Sequence, residues 1–220
     1  MSKKQFRIKV CGLTRVDQIQ ELISLNTDFL GFIFYEKSPR YVLNHLTLEE
    51  ISKINHQGKV GVFVNENSEK IVEIAKKANL NFIQLHGDEN EIFITTLKQK
   101  LNPEIGIIKV IRIGQDSAIS TKEKSIDTFF RSLQNDVKYI LFDTDSKAFG
   151  GTGKQFDWNM LNTIEIPLPY FLSGGISEEN IEDYKHLKHK PFALDINSKF
   201  ETKPGDKDIN RIKKFILSFF

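Results

Sequence analysis

Two side chains that could carry out acid/base chemistry each follow a short apolar stretch of the sequence. Cys11, the single cysteine, comes directly after Ile8-Lys9-Val10 and before Gly12. Its thiolate could serve as a base or a nucleophile, although a buried cysteine can equally be a small hydrophobic side chain. Asp143 follows the apolar residues 139–142, where an unpaired carboxylate is costly to bury, so it either caps the next loop or acts as a general acid with a raised pKa. The pair indicates acid/base catalysis, provided that both stretches are strands of one sheet.

A pair of glycines and a polar turn indicate where a phosphate could bind. Gly174 and Gly175 follow the apolar residues 170–173 and precede a helical stretch. Backbone N–H groups at such a turn can hold a phosphate, and glycine lets the main chain approach it closely. The same glycines could form an ordinary turn between a strand and a helix, but Asn197 and Ser198 at the end of a later strand favour a phosphate site.

Three further polar residues lie in apolar stretches or in the loops that follow them. Arg40 follows Ser38-Pro39, a rigid loop on which a guanidinium could clamp a carboxylate, although a lone arginine on a loop is usually a surface residue. His86 follows residues 82–85, with no His, Cys or carboxylate at the spacing of metal ligands. Asp195 lies in the last apolar stretch. All three are polar residues whose positions need an explanation, and we predict no metal site.

Eight apolar stretches of strand length alternate with helical stretches along the whole chain. The predicted strands comprise residues 6–10, 29–34, 60–64, 82–85, 107–111, 139–143, 170–173 and 192–196. The predicted helices comprise residues 16–26, 48–55, about 68–75, 90–100, 117–133, a short segment from 157, 178–187 and 206–219. Thr47 and Glu50 have the spacing of a capping box for the second helix, and Ser68 and Asp157 are the expected caps of later ones.

The uniformly apolar character of most strands indicates a parallel sheet covered by helices. We therefore predict an α/β fold in which residues 1–220 form a single-domain (β/α)8 TIM barrel. An open doubly wound sheet is the alternative, but no Gly-x-Gly-x-x-Gly turn follows the first strand, and residues 150–155 lack the first glycine and final Ser/Thr of a P-loop. In a parallel barrel the carboxyl ends of all strands meet at one face, which would bring the candidate residues together.

The composition argues against several functional classes. The chain has 220 residues, 40% of them hydrophobic, and a net charge of +2 with both signs spread along it. That balance gives no electrostatic case for binding nucleic acid or a membrane surface. One cysteine precludes an intramolecular disulfide, the N-terminal residues lack the apolar region of a signal peptide, and no apolar run approaches the roughly 20 residues of a membrane-spanning helix. We therefore expect a cytoplasmic protein.

Taken in order, these residues resemble the phosphoribosylanthranilate isomerase family of tryptophan biosynthesis over nearly the whole chain. The matching segments are Lys9-Val10-Cys11-Gly12-Leu13-Thr14, Gly31-Phe32-Ile33-Phe34 with Ser38-Pro39-Arg40, Gly61-Val62-Phe63-Val64, Gln84-Leu85-His86-Gly87, Gly150-Gly151-Thr152-Gly153-Lys154 with Phe156-Asp157-Trp158, and Ser173-Gly174-Gly175. The resemblance implies an Amadori rearrangement of N-(5-phosphoribosyl)anthranilate to 1-(2-carboxyphenylamino)-1-deoxyribulose 5-phosphate, without cofactor or metal. The implied partner is a small phosphosugar substrate.

The resemblance also implies a role for each candidate residue. Asp143 would be the general acid that protonates the furanose oxygen, and Cys11 would be the thiolate base that removes the proton from ribose C2. Arg40 would hold the anthranilate carboxylate. His86 and Asp195 would belong to the substrate-binding site, with Asp195 orienting the substrate or supporting a residue that touches it.

The phosphate would bind Gly174, Gly175 and the loop near Ser198. This loop departs from the family, which usually has Ser-Gly-Val-Glu where this chain has Ser198-Lys199-Phe200-Glu201. The missing glycine removes backbone freedom beside the phosphate, so the geometry of the loop stays open. Lys199 could compensate by its charge.

A thiolate base needs a suitable environment. A free thiol with a pKa of about 8.5 is only a few per cent ionised at pH 7, so we expect the site to lower the pKa of Cys11. Lys9 is the cation nearest to Cys11 in sequence. Because residues two apart on a strand share a face, we expect Lys9 to point into the barrel with the thiol.

Two other functions stay open at this point. Another phosphosugar barrel, such as a lyase or a decarboxylating synthase, would need a lysine or paired carboxylates at the mouth, where the strands offer Lys109. A non-catalytic barrel would turn over no aminoribose phosphate. The oligomeric state is open between a monomer and a homodimer.

Overall fold

In a computed structural model, which describes residues 6–114, 126–144 and 156–219, strands alternate with helices. The main strands are β1 (Arg7–Val10), β2 (Phe29–Ile33), β3 (Lys59–Phe63), β4 (Phe82–Leu85), β5 (Gly106–Ile113), β6 (Tyr139–Thr144), β7 (Tyr170–Leu172) and β8 (Ala193–Ile196). The α-helices are α1 (Val16–Ser24), α2 (Leu48–Lys53), α3 (Ser68–Lys77), α4 (Glu91–Lys100), α5 (Ile126–Leu133) and α6 (Ile209–Leu217). Short 3₁₀ helices comprise Val42–Asn44, Trp158–Thr163, Ile181–His186 and Ser198–Phe200, and two short strands, β9 (Glu201–Lys203) and β10 (Asp206–Lys207), precede α6.

The eight main strands close into a parallel barrel, as predicted. Each strand pairs with the next one along the chain, and β8 pairs with β1. In this closing seam Lys9 lies opposite Asp195, and Val10 lies opposite Ile196. The open doubly wound sheet is therefore excluded, because a closed ring leaves no edge strands.

Alternation along the strands produces two separate hydrophobic cores. Ile8 and Val10 belong to the large core between the strands and the helices, so Lys9 and Cys11 on the same strand point into the barrel. The barrel interior contains its own apolar cluster, formed by Phe29, Val60, Ile108, Val110, Leu141, Phe171 and Ala193.

Aromatic rings fill the amino-terminal end of the barrel interior. Phe171 makes edge-to-face contacts with Phe29 and Tyr139, with ring centroids 5.0 and 5.3 Å apart. Phe192 stacks on Tyr139 at 4.8 Å, and the guanidinium of Arg7 lies 4.2 Å from the Phe192 ring. The polar side chains of the interior therefore lie toward the carboxyl ends of the strands.

Two of the predicted helix caps are confirmed, and a third is wrong. Thr47 and Glu50 form the predicted capping box at α2. Asp157 is a cap, although the helix that follows it is a 3₁₀ helix. The cap of α3 is Asn67 and not Ser68, because the Asn67 side chain accepts two backbone N–H groups of the first turn.

The last predicted helix is shorter than expected because a hairpin takes up its start. We predicted a helix over residues 206–219, but β9 and β10 pair antiparallel, and α6 begins at Ile209. The side chain of Asp208 caps α6 by accepting the N–H of Arg211 at 3.0 Å. Likewise, the helix predicted over 178–187 is a shorter 3₁₀ helix, Ile181–His186.

Two predicted segments extend beyond the described residues. The predicted helix 117–133 is confirmed over α5, and its start lies outside the described ranges. The glycine-rich segment Gly150–Lys154 lies outside them as well. None of the described helices is long and apolar enough to cross a membrane.

Candidate active site

Cys11 lies just beyond the carboxyl end of β1 with its thiol inside the barrel. The residue is 5% exposed, and its N–H donates to the carbonyl of Ile196 on β8 at 2.9 Å. On its other side, Gly31 of β2 leaves space for the sulfur, because a Cβ at that position would lie 2.9 Å from Sγ. The position of the thiol therefore depends on a glycine in the neighbouring strand.

Lys9 lies below Cys11 on the same face of β1, as predicted, and it is fully buried. Its Nζ is 2.9 Å from both carboxylate oxygens of Asp195 on β8. Burial disfavours the charged form of Lys9, but the charges of Asp195 and Cys11 outweigh that effect and raise the pKa of Lys9. A buried ammonium–carboxylate pair therefore lies directly under the thiol.

The pKa of Cys11 is raised above its ordinary value, so the expectation of a lowered pKa was wrong. Burial is the largest cause, because a thiolate inside the barrel loses its hydration. Lys9 and Lys207 lower the pKa of the thiol, whereas Asp195 raises it further. The two lysines thus reduce the cost of forming a thiolate without abolishing it.

Asp143, at the end of β6, reaches into the same mouth and contacts His86 at the end of β4. His86 Nε2 lies 3.1 Å from Asp143 Oδ2, and a proton on Nε2 makes the histidine the donor. The backbone N–H of Thr144 donates to Oδ1 at 2.9 Å. The side chains of His86 and Asp143 are 12% and 18% exposed. The carboxyl group is therefore held from two sides and still accessible, as a general acid must be.

The loop after β7 passes directly against the end of β6. Gly174 and Gly175 have φ values of +84° and +78°, a left-handed conformation that favours glycine. A Cβ on Gly174 would lie 2.5 Å from Thr144 Oγ1 and 3.4 Å from Asp143 Oδ1. Gly174 is thus needed for this close approach, and its backbone lies beside the candidate acid.

Two buried polar atoms that face into the barrel at the end of β4, Gln84 Oε1 and His86 Nδ1, have no hydrogen-bond partner within the described ranges. Buried polar atoms are normally satisfied, so a polar ligand in the mouth would complete their bonding. Gln84 was not predicted as a site residue. Gln84 lies two residues before His86, a spacing that could have indicated its inward direction.

Arg40 is buried, which excludes the interpretation that it is an ordinary surface residue. Its guanidinium forms hydrogen bonds with Glu201: Nε lies 3.0 Å from each carboxylate oxygen, and Nη2 lies 2.7 Å from Oε2. Lys207 Nζ donates to the same carboxylate at 2.6 Å and to Asn197 Oδ1 at 2.8 Å. Glu201 and Lys207 were not predicted as site residues, because the hairpin that carries them has no clear sequence signal.

The remaining predicted residues differ in their positions. Asp195 is buried against Lys9, so in this arrangement it supports a neighbouring side chain. Ser198 is partly exposed in the 3₁₀ turn after β8, and Lys199 beside it is exposed. Among the described residues, no three His, Cys, Asp or Glu side chains are grouped as metal ligands would be.

Lys109 does not lie at the mouth, although it was the strand lysine that kept a different phosphosugar chemistry open. Ile107 and Ile111, two positions before and after it on β5, belong to the outer core. Because residues two apart on a strand share a face, the side chain of Lys109 points away from the barrel interior. Lys109 Nζ lies 2.9 Å from Glu89 Oε2 and 2.9 Å from the carbonyl of Gly87. It therefore holds the loop after β4 in place, next to His86.

Comparison with known proteins is consistent across sequence and structure. Residues 8–218 match the family model described as N-(5'phosphoribosyl)anthranilate (PRA) isomerase. N-(5'-phosphoribosyl)anthranilate isomerase from Parabacteroides distasonis is 39% identical over 212 residues, which cover 95% of this chain and 91% of that protein. The protein of the same name from Caldanaerobacter subterraneus subsp. tengcongensis is 39% identical over 213 residues, or 96% of each chain.

Solved structures show the same similarity. Phosphoribosyl anthranilate isomerase from Thermotoga maritima superposes with a TM-score of 0.75 at 33% identity, covering 96% of this chain and 97% of that one. A phosphoribosyl anthranilate isomerase in complex with reduced 1-(o-carboxyphenylamino)-1-deoxyribulose 5-phosphate superposes with a TM-score of 0.69 at 30% identity and the same coverage.

Proposed function

The chain belongs to the N-(5'-phosphoribosyl)anthranilate isomerase family, and we propose that Cys11 and Asp143 are the general base and general acid of its isomerase reaction. The enzyme converts N-(5'-phosphoribosyl)anthranilate to 1-(2-carboxyphenylamino)-1-deoxyribulose 5-phosphate, an Amadori rearrangement in tryptophan biosynthesis. One observation carries the assignment of roles: the buried thiol of Cys11, just beyond β1, and the carboxyl group of Asp143, on β6, enter the same mouth of the closed barrel.

In the first step, Asp143 in its protonated form gives a proton to the furanose ring oxygen. The bond between that oxygen and C1 breaks, and its electron pair stays on the oxygen. The lone pair of the anthranilate nitrogen forms the double bond to C1, giving an open-chain iminium ion. The contacts of Asp143 with His86 and Thr144 fix the direction of the carboxyl group during this transfer.

In the second step, the thiolate of Cys11 removes the proton from ribose C2. The C2–H electron pair forms a C1=C2 double bond, and the C1=N pair returns to nitrogen as a lone pair. The enolamine then becomes the ketone by losing the proton of its C2 hydroxyl to water and gaining one from water at C1. Proton exchange with water returns Cys11 to the thiolate and Asp143 to the acid. The raised pKa of Cys11 makes thiolate scarcer, but each thiolate is a stronger base.

Substrate binding is assigned to three groups of the mouth. Arg40 holds the anthranilate carboxylate, because its buried guanidinium is fixed in direction. The backbone of Gly174 and Gly175, with Ser198, holds the phosphate. His86 acts on the substrate through Asp143. A reduced form of the product, the ligand of one solved relative, is the natural test ligand for this site.

The assembly of the site is part of the proposal. All candidate residues lie in one barrel, so the barrel acts as a single catalytic domain in either a monomer or a homodimer. One solved relative consists of monomers generated from a dimeric phosphoribosylanthranilate isomerase of Thermotoga maritima. Every residue assigned to the site belongs to this one chain, so we expect kcat not to change with protein concentration.

Turnover of N-(5'-phosphoribosyl)anthranilate by purified protein tests the assignment. We expect Cys11→Ala and Asp143→Asn each to lose about 10²–10⁴-fold in kcat, whereas Glu49→Gln in an exposed ion pair should have no effect. Both inactive variants should still bind the reduced product. A wild-type rate in Cys11→Ala would show that the base is another group.

A further inference from the structure

The carboxylate of Glu201 joins two buried cations at the edge of the mouth. Its side chain is 3% exposed, and it accepts hydrogen bonds from Arg40, from Lys207 and from the N–H of Gly205 at 3.1 Å. Burial by itself would raise the pKa of Glu201, but the bonds from Arg40 and the charge of Lys207 lower it. Glu201 is therefore a carboxylate. Burial lowers the pKa of Lys207, and the charge and hydrogen bond of Glu201 oppose this effect. With Lys207 as an ammonium, the three side chains form a trio with two positive charges and one negative charge.

The guanidinium of Arg40 has two edges that can bind a carboxylate. Glu201 occupies the edge formed by Nε and Nη2. The other edge, formed by Nη1 and the second hydrogen of Nη2, makes no hydrogen bond with the described residues. Because a guanidinium is planar and rigid, fixing one edge also fixes the direction of the other.

The charge of the trio depends on Lys207. Arg40 and Glu201 alone would form a neutral pair, which has little net attraction for a second carboxylate. Lys207 is fully buried and lies 2.6 Å from Glu201, so its charge offsets that of Glu201. The trio as a whole keeps one surplus positive charge, which matches the single negative charge of an anthranilate carboxylate.

Hydrogen bonds from Gln18 on α1 hold the backbone of Lys207 in place. Gln18 on α1 donates to the carbonyl of Lys207 at 3.0 Å and accepts its N–H at 2.9 Å. Thr14 donates to the carbonyl of Gly205 at 2.6 Å. These contacts anchor the hairpin to the segment that follows Cys11, so the side chain of Lys207 is held in a defined position.

We propose that Lys207 is a positioning residue for substrate selectivity, which offsets the charge of Glu201 so that Arg40 can bind the carboxylate of the anthranilate ring. Glu201 orients the guanidinium, and Lys207 removes the electrostatic cost of having Glu201 beside the bound carboxylate. This inference rests on the proposed role of Arg40 and adds how that role is made possible.

The test compares two ligands that differ in one group: the reduced product and the same compound without its ring carboxylate. The preference is the ratio of their dissociation constants, measured by calorimetry. We expect wild type to prefer the carboxylated ligand by about 10–100-fold, the range of a charge-assisted bidentate contact. In Lys207→Met this ratio should be about tenfold smaller, while the affinity for the ligand without the carboxylate should be nearly unchanged.

A double variant separates charge balance from structural support. In Glu201→Gln/Lys207→Met, Arg40 alone is charged, and the glutamine oxygen can still accept a bond from the guanidinium. We expect the preference to return toward that of wild type. An unchanged preference in Lys207→Met would overturn the proposal, and so would a loss that the double variant fails to recover.

Arg40→Met shows which of the two proposals has failed. It should abolish the preference, and Lys53→Met, in an exposed ion pair, should retain it. If Arg40→Met keeps the preference, the proposed role of Arg40 is wrong. If Arg40→Met loses the preference while Lys207→Met keeps it, the inference about Lys207 alone is wrong.

Discussion

Lys9 on β1 and Asp195 on β8 form a buried ion pair across the seam that closes the barrel, with Nζ 2.9 Å from each carboxylate oxygen. The same pair lies directly beneath the thiol of Cys11, and both of its charges act on that thiol. The stability of the barrel and the ionisation of the candidate base therefore depend on the same two residues.

Replacing Lys9 by methionine should affect both properties. It leaves Asp195 buried without its partner, so we expect the free energy of unfolding at neutral pH to fall by about 3–5 kcal/mol. It also removes the cation nearest to Cys11, so the pKa of the thiol should rise further. Urea unfolding measures the first effect, and the pH dependence of thiol alkylation measures the second. An unchanged thiol pKa would exclude Lys9 as a stabilising charge.

Lys109→Met is the matched control for Lys9→Met. It breaks another buried pair, with Glu89, but Lys109 points away from the barrel interior. We expect a comparable loss of stability and no change in the thiol pKa. A shift of the thiol pKa in both variants would mean that loosening of the fold, and not a local charge, controls Cys11.

Stability should depend on alkaline pH through Cys11. Its pKa in the folded chain is raised above that of a free thiol, which is about 8.5. Below that pH the thiol is protonated in both the folded and the unfolded chain. Above it, the unfolded chain releases the proton first, so the free energy of unfolding of wild type should fall relative to that of Cys11→Ala. The slope of the difference cannot exceed about 1.4 kcal/mol per pH unit.

Denaturant titrations of wild type and Cys11→Ala on both sides of the ordinary thiol pKa measure this difference. The lysines contribute to the alkaline loss in both proteins, so the difference between the two isolates most of the thiol effect. If the free energies of unfolding of the two proteins differ by the same amount at every pH tested, the pKa of Cys11 is not raised. If wild type becomes more stable than Cys11→Ala as the pH rises, the pKa of Cys11 is lowered.

Gly31→Ala should displace the thiol. The added Cβ would lie 2.9 Å from both Sγ and Cα of Cys11. Overpacking of this kind costs about 1–3 kcal/mol of stability, and we expect kcat to fall as well. In Gly31→Ala/Cys11→Ala the clash with sulfur is absent, so part of the stability should return. Strictly additive losses in this double-mutant cycle would show that the two residues do not interact.

His86 offers a test of how Asp143 is positioned. His86→Asn should lower kcat by about tenfold or more with little change in KM, because Asp143 Oδ2 loses its partner. His86→Gln, whose amide nitrogen can reach the place of Nε2, should recover part of the rate. Equal losses in the two variants would indicate that the imidazole has another role.

The sequence predicts the barrel well because its strands and helices depend on local patterns. Apolar runs that alternate with helical segments predict β1 to β8. Lys9 and Cys11 are two residues apart along β1 and its end, so their side chains are expected on the same face. The capping box of Thr47 and Glu50 is equally local and is confirmed.

Features that depend on distant contacts could not be predicted. Arg40 and Glu201 lie 161 positions apart, and nothing near Arg40 indicates that a carboxylate occupies one edge of its guanidinium. The hairpin that carries Glu201 and Lys207 is too short to have a strand pattern. The direction of the pKa shift of Cys11 depends on how deeply the thiol is buried, which local sequence patterns do not determine.

Removal of the ribose C2 proton is the step that tests the central claim most directly. Its rate can be followed with substrate deuterated at C2, in wild type and in Cys11→Ala. We expect wild type to show a primary isotope effect, either on the steady-state rate or on the rate of a single-turnover reaction. Cys11→Ala should lose about 10²–10⁴-fold of the rate while it still binds the reduced product. Release of the C2 proton by Cys11→Ala at the wild-type rate would contradict the assignment of Cys11 as the base.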